Sequence, residues 1–231
     1  MVRLLALATL LSASGFAGAA TQFTATLDAA QIVGNTPTAT GTATVTATLS
    51  GGPGTWVLSY VGDFYNYDFG AYMLPFVTTG TSPVDGSPSA SATTETLADD
   101  VRNFHIHTGA RGLTGPVAYS VRSPDRENGI EPNVQIAVLS STHARITGTW
   151  DLTDGQIGGA NEQTKQGNLA YWAPLMAAAQ PGEEIGLYFD IHTNAVPTSE
   201  IRGQITAVPE PESAAMMLAG LAVLAAVARR R

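Results

Sequence analysis

The chain has 231 residues, 44% of them hydrophobic, with 11 basic and 19 acidic residues and a formal net charge of −8. An acidic balance of that size excludes nucleic acid and anionic membrane surfaces as electrostatic partners. With no cysteine, a thiolate metal site, a thiol nucleophile and a disulfide framework are excluded too, so the fold must rest on packing and hydrogen bonds.

Residues 1–20, MVRLLALATLLSASGFAGAA, set one positive charge at Arg3 before an apolar stretch from Leu4 to Leu11 and a run of small residues. This is the pattern of a secretory signal peptide, with Ala17, Gly18 and Ala19 offering the small side chains a signal peptidase requires. QFTATLDA (Gln22 to Ala29) then places Phe23, Ala25 and Leu27 on one face, and GTATVTATLS (Gly41 to Ser50) alternates threonine with Ala43, Val45, Ala47 and Leu49. Period-two alternation with β-branched residues predicts half-buried strands. TWVLSYVG follows Gly51-Gly52-Pro53-Gly54, so the second of these strands and the next form a hairpin.

Between Asp63 and Asp100 the pattern fails, and residues 64–100 read as an inserted surface loop. Its aromatic opening, DFYNYDFGAYMLPF, either packs the loop down or offers rings on which sugars stack. Further strands are expected at Phe104 to Thr108, Val117 to Val121, Val134 to Leu139, Ala144 to Leu152, Ile185 to His192 and Glu200 to Thr206. About nine short strands with turn signals between them predict an all-β domain over 21–207, an antiparallel sandwich or barrel. The one helical pattern is NLAYWAPLMAAAQPGEE, where Leu169, Trp172, Leu175 and Met176 recur at helical spacing and Pro174 is expected to kink the helix or confine it to one side.

The chain ends VPEPESAAMMLAGLAVLAAVARRR, in which an uncharged apolar run over 214–228 precedes Arg229, Arg230 and Arg231. As a helix the run is about 22 Å long at 1.5 Å per residue, short of a bilayer core of about 30 Å and marginal as a permanent transmembrane anchor. Arginines at its outer end belong on the cytoplasmic side, which leaves the main domain outside. Pro209, Glu210 and Pro211, the short helix and the terminal arginines resemble a PEP-CTERM sorting signal, here 208–231. That resemblance implies recognition and removal of the tail by an exosortase-type membrane enzyme, in a Gram-negative host that exports exopolysaccharide. Without Arg3 and Arg229 to Arg231, seven basic residues remain; without Glu210 and Glu212, seventeen acidic ones. The exported part is then near −10, compatible with divalent cations or neutral glycans as partners.

NFHIHTGARGLTGPV holds two of the four histidines. In a strand, residues i and i+2 project from one face, so His105 and His107 stand about 7 Å apart while Ile106 points into the core. Such a pair can hold a copper or other divalent ion if a third imidazole arrives from a neighbouring strand and the nitrogens converge to within about 4 Å. His192 in LYFDIHTNAVPTSEIRGQI is the best candidate, His143 a weaker one, and Asp190 or Glu200 could add an acidic ligand. Glu200, Arg202 and Gln204 alternate with Ile201, Gly203 and Ile205, so the first three are expected on one face, pairing as ions or bracing the histidines.

FHIHTGARGLTGPVAYSV, LYFDIHT and SEIRGQI, in that order, resemble the CHRD domain from Phe23 to Ile205, starting at FTATLDAAQ. The matching positions are His105, His107, Gly109, Gly112, Gly115, Pro116, His192, Thr193, Glu200, Arg202, Gly203 and Gln204. The resemblance implies an immunoglobulin-like, Greek-key β-sandwich with no established enzymatic activity. The order His105, His107, His192, Arg202 is also similar to copper/zinc superoxide dismutases, which implies a copper-only redox site with Arg202 guiding an anion; the cysteines and zinc ligands of those enzymes have no counterpart.

The histidines therefore admit two readings: a metal site, or a polar clasp in which imidazoles, Thr108, Thr193, Glu200, Arg202 and Gln204 fix the loops of the domain. No nucleophile, base and acid stand at catalytic spacing. The expected function is that of an exported, non-enzymatic module of the cell envelope or exopolysaccharide matrix, in adhesion or matrix organisation, with matrix glycan as a partner.

Overall fold

The computed structural model describes residues 21–34, 41–67, 69, 73, 77–79, 101–120, 133–140, 142–154, 168–209, 220 and 229. In chain order the strands are β1 (Thr21–Leu27), β2 (Thr42–Ser50), β3 (Val57–Tyr65), β4 (Val77–Thr79), β5 (Val101–Thr108), β6 (Val117–Ser120), β7 (Gln135–Ser140), β8 (His143–Asp151), β9 (Glu184–Thr193) and β10 (Ile201–Val208). A 3-10 turn at Ala29–Gln31 follows β1, and helix α1 (Leu169–Ala178) lies between β8 and β9.

The alternation read in β2 holds: Ala43, Val45, Ala47 and Leu49 are buried, and the intervening threonines line the outer face. The hairpin to β3 forms through Gly51 and Gly54, both at positive φ (88° and 84°), a conformation that favours glycine.

All ten strands form one sheet in the order β4-β7-β8-β3-β2-β1-β10-β9-β5-β6. Pairing is antiparallel except between β4 and β7. The family resemblance implies a two-sheet sandwich; instead β1 pairs with β2 on one edge and β10 on the other and joins the two halves in one sheet. The sheet then curls on itself. Tyr60 of β3 packs on Phe104 of β5, Tyr119 of β6 and Phe189 of β9, strands distant in sheet order. The Tyr119 hydroxyl donates to the Thr149 carbonyl of β8 at 2.9 Å, closing the core between the halves.

Two local expectations change. The insertion does not begin at residue 64: β3 continues to Tyr65, while Phe64, Tyr67, Phe69 and Met73 are fully buried, so these side chains fill the core. Residues 80–100 lie outside the described residues. Helix α1 runs through Pro174 as one element, capped by the Asn168 side chain, which accepts from the Ala170 N–H. In mid-helix, proline removes one intrahelical hydrogen bond, and burial of Leu169, Trp172, Ala173 and Met176 offsets that loss. Leu175, expected on the apolar face, is exposed.

The signal peptide expected over 1–20 and most of the tail, including Glu210, Pro211, Arg230 and Arg231, lie outside the described residues. Among the described residues no helix is long and apolar enough to cross a membrane.

Candidate metal centre

In β5, β9 and β10 the register places His105 opposite Asp190 and His107 opposite Tyr188, then Arg202 opposite Asp190 and Gln204 opposite Tyr188. Opposed residues of antiparallel strands share a face. One face of this three-strand segment therefore carries His105, His107, Tyr188, Asp190, His192, Arg202 and Gln204. The other carries Phe104, Ile106, Phe189, Ile191, Ile201 and Ile205, all buried in the core.

The polar face is roofed by the glycine-rich segment after β5. The Thr108 N–H donates to the Pro116 carbonyl at 2.9 Å, and the Gly109 N–H to the Gly186 carbonyl at 2.8 Å. Gly115 is required by contact: a Cβ there would lie 1.8 Å from the Thr108 carbonyl oxygen. Arg202 ties this roof down, donating from Nη1 to the Leu113 carbonyl at 2.7 Å and from Nη2 to the Ala110 carbonyl at 2.9 Å and Gln204 Oε1 at 3.1 Å. Its guanidinium carbon lies 3.5 Å from the centre of the Tyr188 ring. Gln204 Nε2 donates to the carbonyls of Gly109 and Leu187.

Under the roof, the ligand atoms of His105, His107 and His192 all lie within 4.8 Å of one another, a wider spread than the about 4 Å expected of a bound ligand set. The closest two, His105 Nδ1 and His192 Nε2, are 3.0 Å apart. Carbonyl partners fix two of the tautomers, because a carbonyl only accepts. His107 donates from Nδ1 to the Gly115 carbonyl and His192 from Nδ1 to the Pro197 carbonyl, each at 2.9 Å. Burial lowers the His107 pKa to about 4 and lowers that of His192 as well, so both rings are neutral at pH 7 with a lone pair on Nε2. His107 Nε2 is buried and has no hydrogen-bond partner among the described residues.

Asp190 completes the cluster. Its Oδ1 accepts from the Ser199 hydroxyl at 2.6 Å, and its Oδ2 lies 3.7 Å from both His107 Nε2 and His192 Nε2. The residue is 2% exposed, and burial raises its pKa to about 7.

The remaining sequence candidates fall elsewhere. Arg202 faces Asp190 in register, yet its Nη donors go to carbonyls and Gln204, so it is a clasp and its expected pairing with Glu200 gives way to that role. Glu200 precedes β10 and breaks its alternation; its charge, after burial, raises the pKa of the buried Tyr67 phenol. Thr108 Oγ1 donates to the Pro116 carbonyl at 3.4 Å, and Thr193 Oγ1 accepts the Val196 N–H at 3.1 Å, so each secures a loop. His143 is remote from the cluster and donates to Asp63. Ser199, Tyr188 and the carbonyls of Gly115 and Pro197 were not foreseen. Only Tyr188 carried a signal, its i, i+2, i+4 spacing with Asp190 and His192.

Comparison with protein families matches the CHRD domain over residues 23–205 and the PEP-CTERM protein-sorting motif over residues 207–231. Neither the curated proteins nor the solved structures contain a match. The sorting motif marks an exported surface protein processed by an exosortase-type enzyme. The chain belongs to the CHRD domain family and carries this motif behind its single β domain.

Proposed function

We propose that this exported protein is a binding module of the cell envelope or its matrix, and that its domain holds a divalent transition metal through His105, His107 and His192. The observation that carries the reading is the pair of carbonyl-locked imidazoles, His107 on Gly115 and His192 on Pro197. Metal-bound histidines characteristically donate their second ring N–H to a carbonyl or carboxylate, which fixes the tautomer and aims the other nitrogen at the ion. Here that arrangement occurs twice, with the Nε2 atoms of both rings 3.7 Å from the same Asp190 oxygen. The clasp of Arg202 and Gln204 serves the site by fixing the roof that supplies the Gly115 carbonyl.

The metal is tested by loading the purified full chain separately with zinc and with copper, desalting, and measuring metal per chain, with an EPR spectrum of the copper form. One tightly held ion in the wild type and none in His107→Ala is the expected result. Absence of stoichiometric metal overturns the reading. A matrix role follows from export, and the apolar run of the tail holds the chain at the membrane until processing. Binding to isolated matrix glycan above that of an unrelated acidic protein tests that role.

A further inference from the structure

We infer that Asp190 is the fourth ligand of this centre, which makes it a closed three-histidine, one-carboxylate site for a four-coordinate ion of the zinc class. The inference rests on the metal reading above and goes beyond it in ligand set and in type of ion.

Three features of the cluster are each unfavourable alone and are resolved together by one cation. Asp190 is a carboxyl group at 2% exposure, costly to ionise there, and Arg202, the cation opposite it, has its Nη donors committed to the roof and Gln204. His107 Nε2 is a buried lone pair without a hydrogen-bond donor. Asp190 Oδ2 lies 3.7 Å from that lone pair, acceptor against acceptor when ionised, and 3.7 Å from His192 Nε2, which accepts from His105 Nδ1 at 3.0 Å, because Gly115 and Pro197 have claimed the only ring protons of neutral His107 and His192. Buried polar atoms in this state are costly unless paired or bound to a metal.

The spacing approaches that of such an ion. Ligand bonds of about 2.0 to 2.1 Å around a tetrahedral ion place the ligand atoms about 3.3 to 3.4 Å apart. The separations of 3.0 Å for His105 Nδ1 to His192 Nε2, and 3.7 Å from Asp190 Oδ2 to His107 and to His192, fall on either side of that value, and the three imidazole ligand atoms, spread over as much as 4.8 Å, close in on loading. Ser199 supplies the outer shell: its hydroxyl holds Oδ1 at 2.6 Å and leaves Oδ2 directed at the imidazoles. His105 must shift its ring proton from Nδ1, where it is now shared with His192, to Nε2 before Nδ1 can ligate, a change of tautomer with no net loss of a proton.

Cobalt(II) is the probe, because its visible d–d absorption is intense when four-coordinate and weak when water raises the coordination number. The full chain is loaded with one equivalent of Co²⁺ and titrated with azide, which can enter through the cavity lined by His107, Asp190, Ser199 and Arg202. The expected result is an intense spectrum that azide leaves unchanged. Asp190→Asn should lose that intensity and bind Co²⁺ more than about 100-fold more weakly, and Ser199→Ala about 10- to 100-fold more weakly. An azide-sensitive wild-type spectrum, or stoichiometric binding with the same spectrum in folded Asp190→Asn, overturns the fourth ligand while leaving the three-histidine reading intact. Failure of the wild type to retain cobalt, zinc or copper overturns both. The azide titration needs no variant, so misfolding of Asp190→Asn cannot mask the outcome.

Discussion

On β3 and β8, His143 donates from Nε2 to Asp63 at 2.8 Å, whereas on β5 and β9 the Nε2 atoms of His107 and His192 stop 3.7 Å from Asp190. The surface aspartate is satisfied by its neighbours: Arg145 donates to it from Nε and Nη2, and the Tyr65 ring stacks on His143. Side chains there are 23% and 28% exposed, against 12% and 3% for His107 and Asp190. A histidine and an aspartate thus do different things according to where the ring protons go. At the surface, the proton points at the carboxylate and the pair is complete. In the buried site, backbone carbonyls have taken the Nδ1 protons, and the Nε2 of His107 is left without a donor beside the acid.

If that difference comes from the roof, the largest effects belong to residues that hold it. Arg202→Leu leaves the Leu113 and Ala110 carbonyls without their donor and should cost about 3 to 5 kcal/mol in urea unfolding, since hydrogen bonds to charged groups are worth about 1.5 to 3 kcal/mol each. A loss under about 1 kcal/mol would show that the roof does not depend on this clasp. Gly115→Ala forces a Cβ against the Thr108 carbonyl and should cost about 3 kcal/mol, with metal uptake falling alongside stability because the Gly115 carbonyl moves away from His107. Uptake unchanged in this variant would separate the carbonyl lock from the metal.

Zinc itself sharpens the contrast. An ion that binds only the folded state adds about 2.7 kcal/mol at a free concentration 100 times its dissociation constant. Thermal unfolding of the wild type should rise with added zinc and return with chelator. His192→Ala should show no rise, while His143→Ala should retain it, because His143 is already paired with Asp63. A response lost equally in both variants would mean that the two histidine sites are not distinct.

Much of this organisation was legible in side-chain order. Threonine alternation located β2, and His105, His107, Asp190 and His192 were recoverable from the period of two together with one long-range pairing. β4 was not, because Val77 to Thr79 sit inside a Ser- and Thr-rich run with no alternation of their own. Continuity of the sheet through β1 depends on strands separated by most of the chain, and no local pattern encodes it. The Gly115 and Pro197 carbonyls that fix the imidazoles are backbone acceptors, which every residue possesses and no residue type advertises. Glu200 was misplaced because the turn before β10 interrupts the alternation from which its direction was inferred.

The smallest effect is expected at Asp63. Asp63→Asn removes a charge that His143 and Arg145 share at a partly exposed position. Exposed ion pairs contribute about 0.2 to 1 kcal/mol, because water screens them and two side chains must be ordered to form them. The substitution should therefore cost less than about 1 kcal/mol in urea unfolding, shrink further in 1 M salt where screening acts over about 3 Å, and leave zinc binding unchanged. A cost above about 2 kcal/mol, insensitive to salt, would place Asp63 in the same energetic class as Asp190. Burial and the direction of the ring protons would then no longer account for why one histidine–aspartate pair is complete and the other awaits an ion.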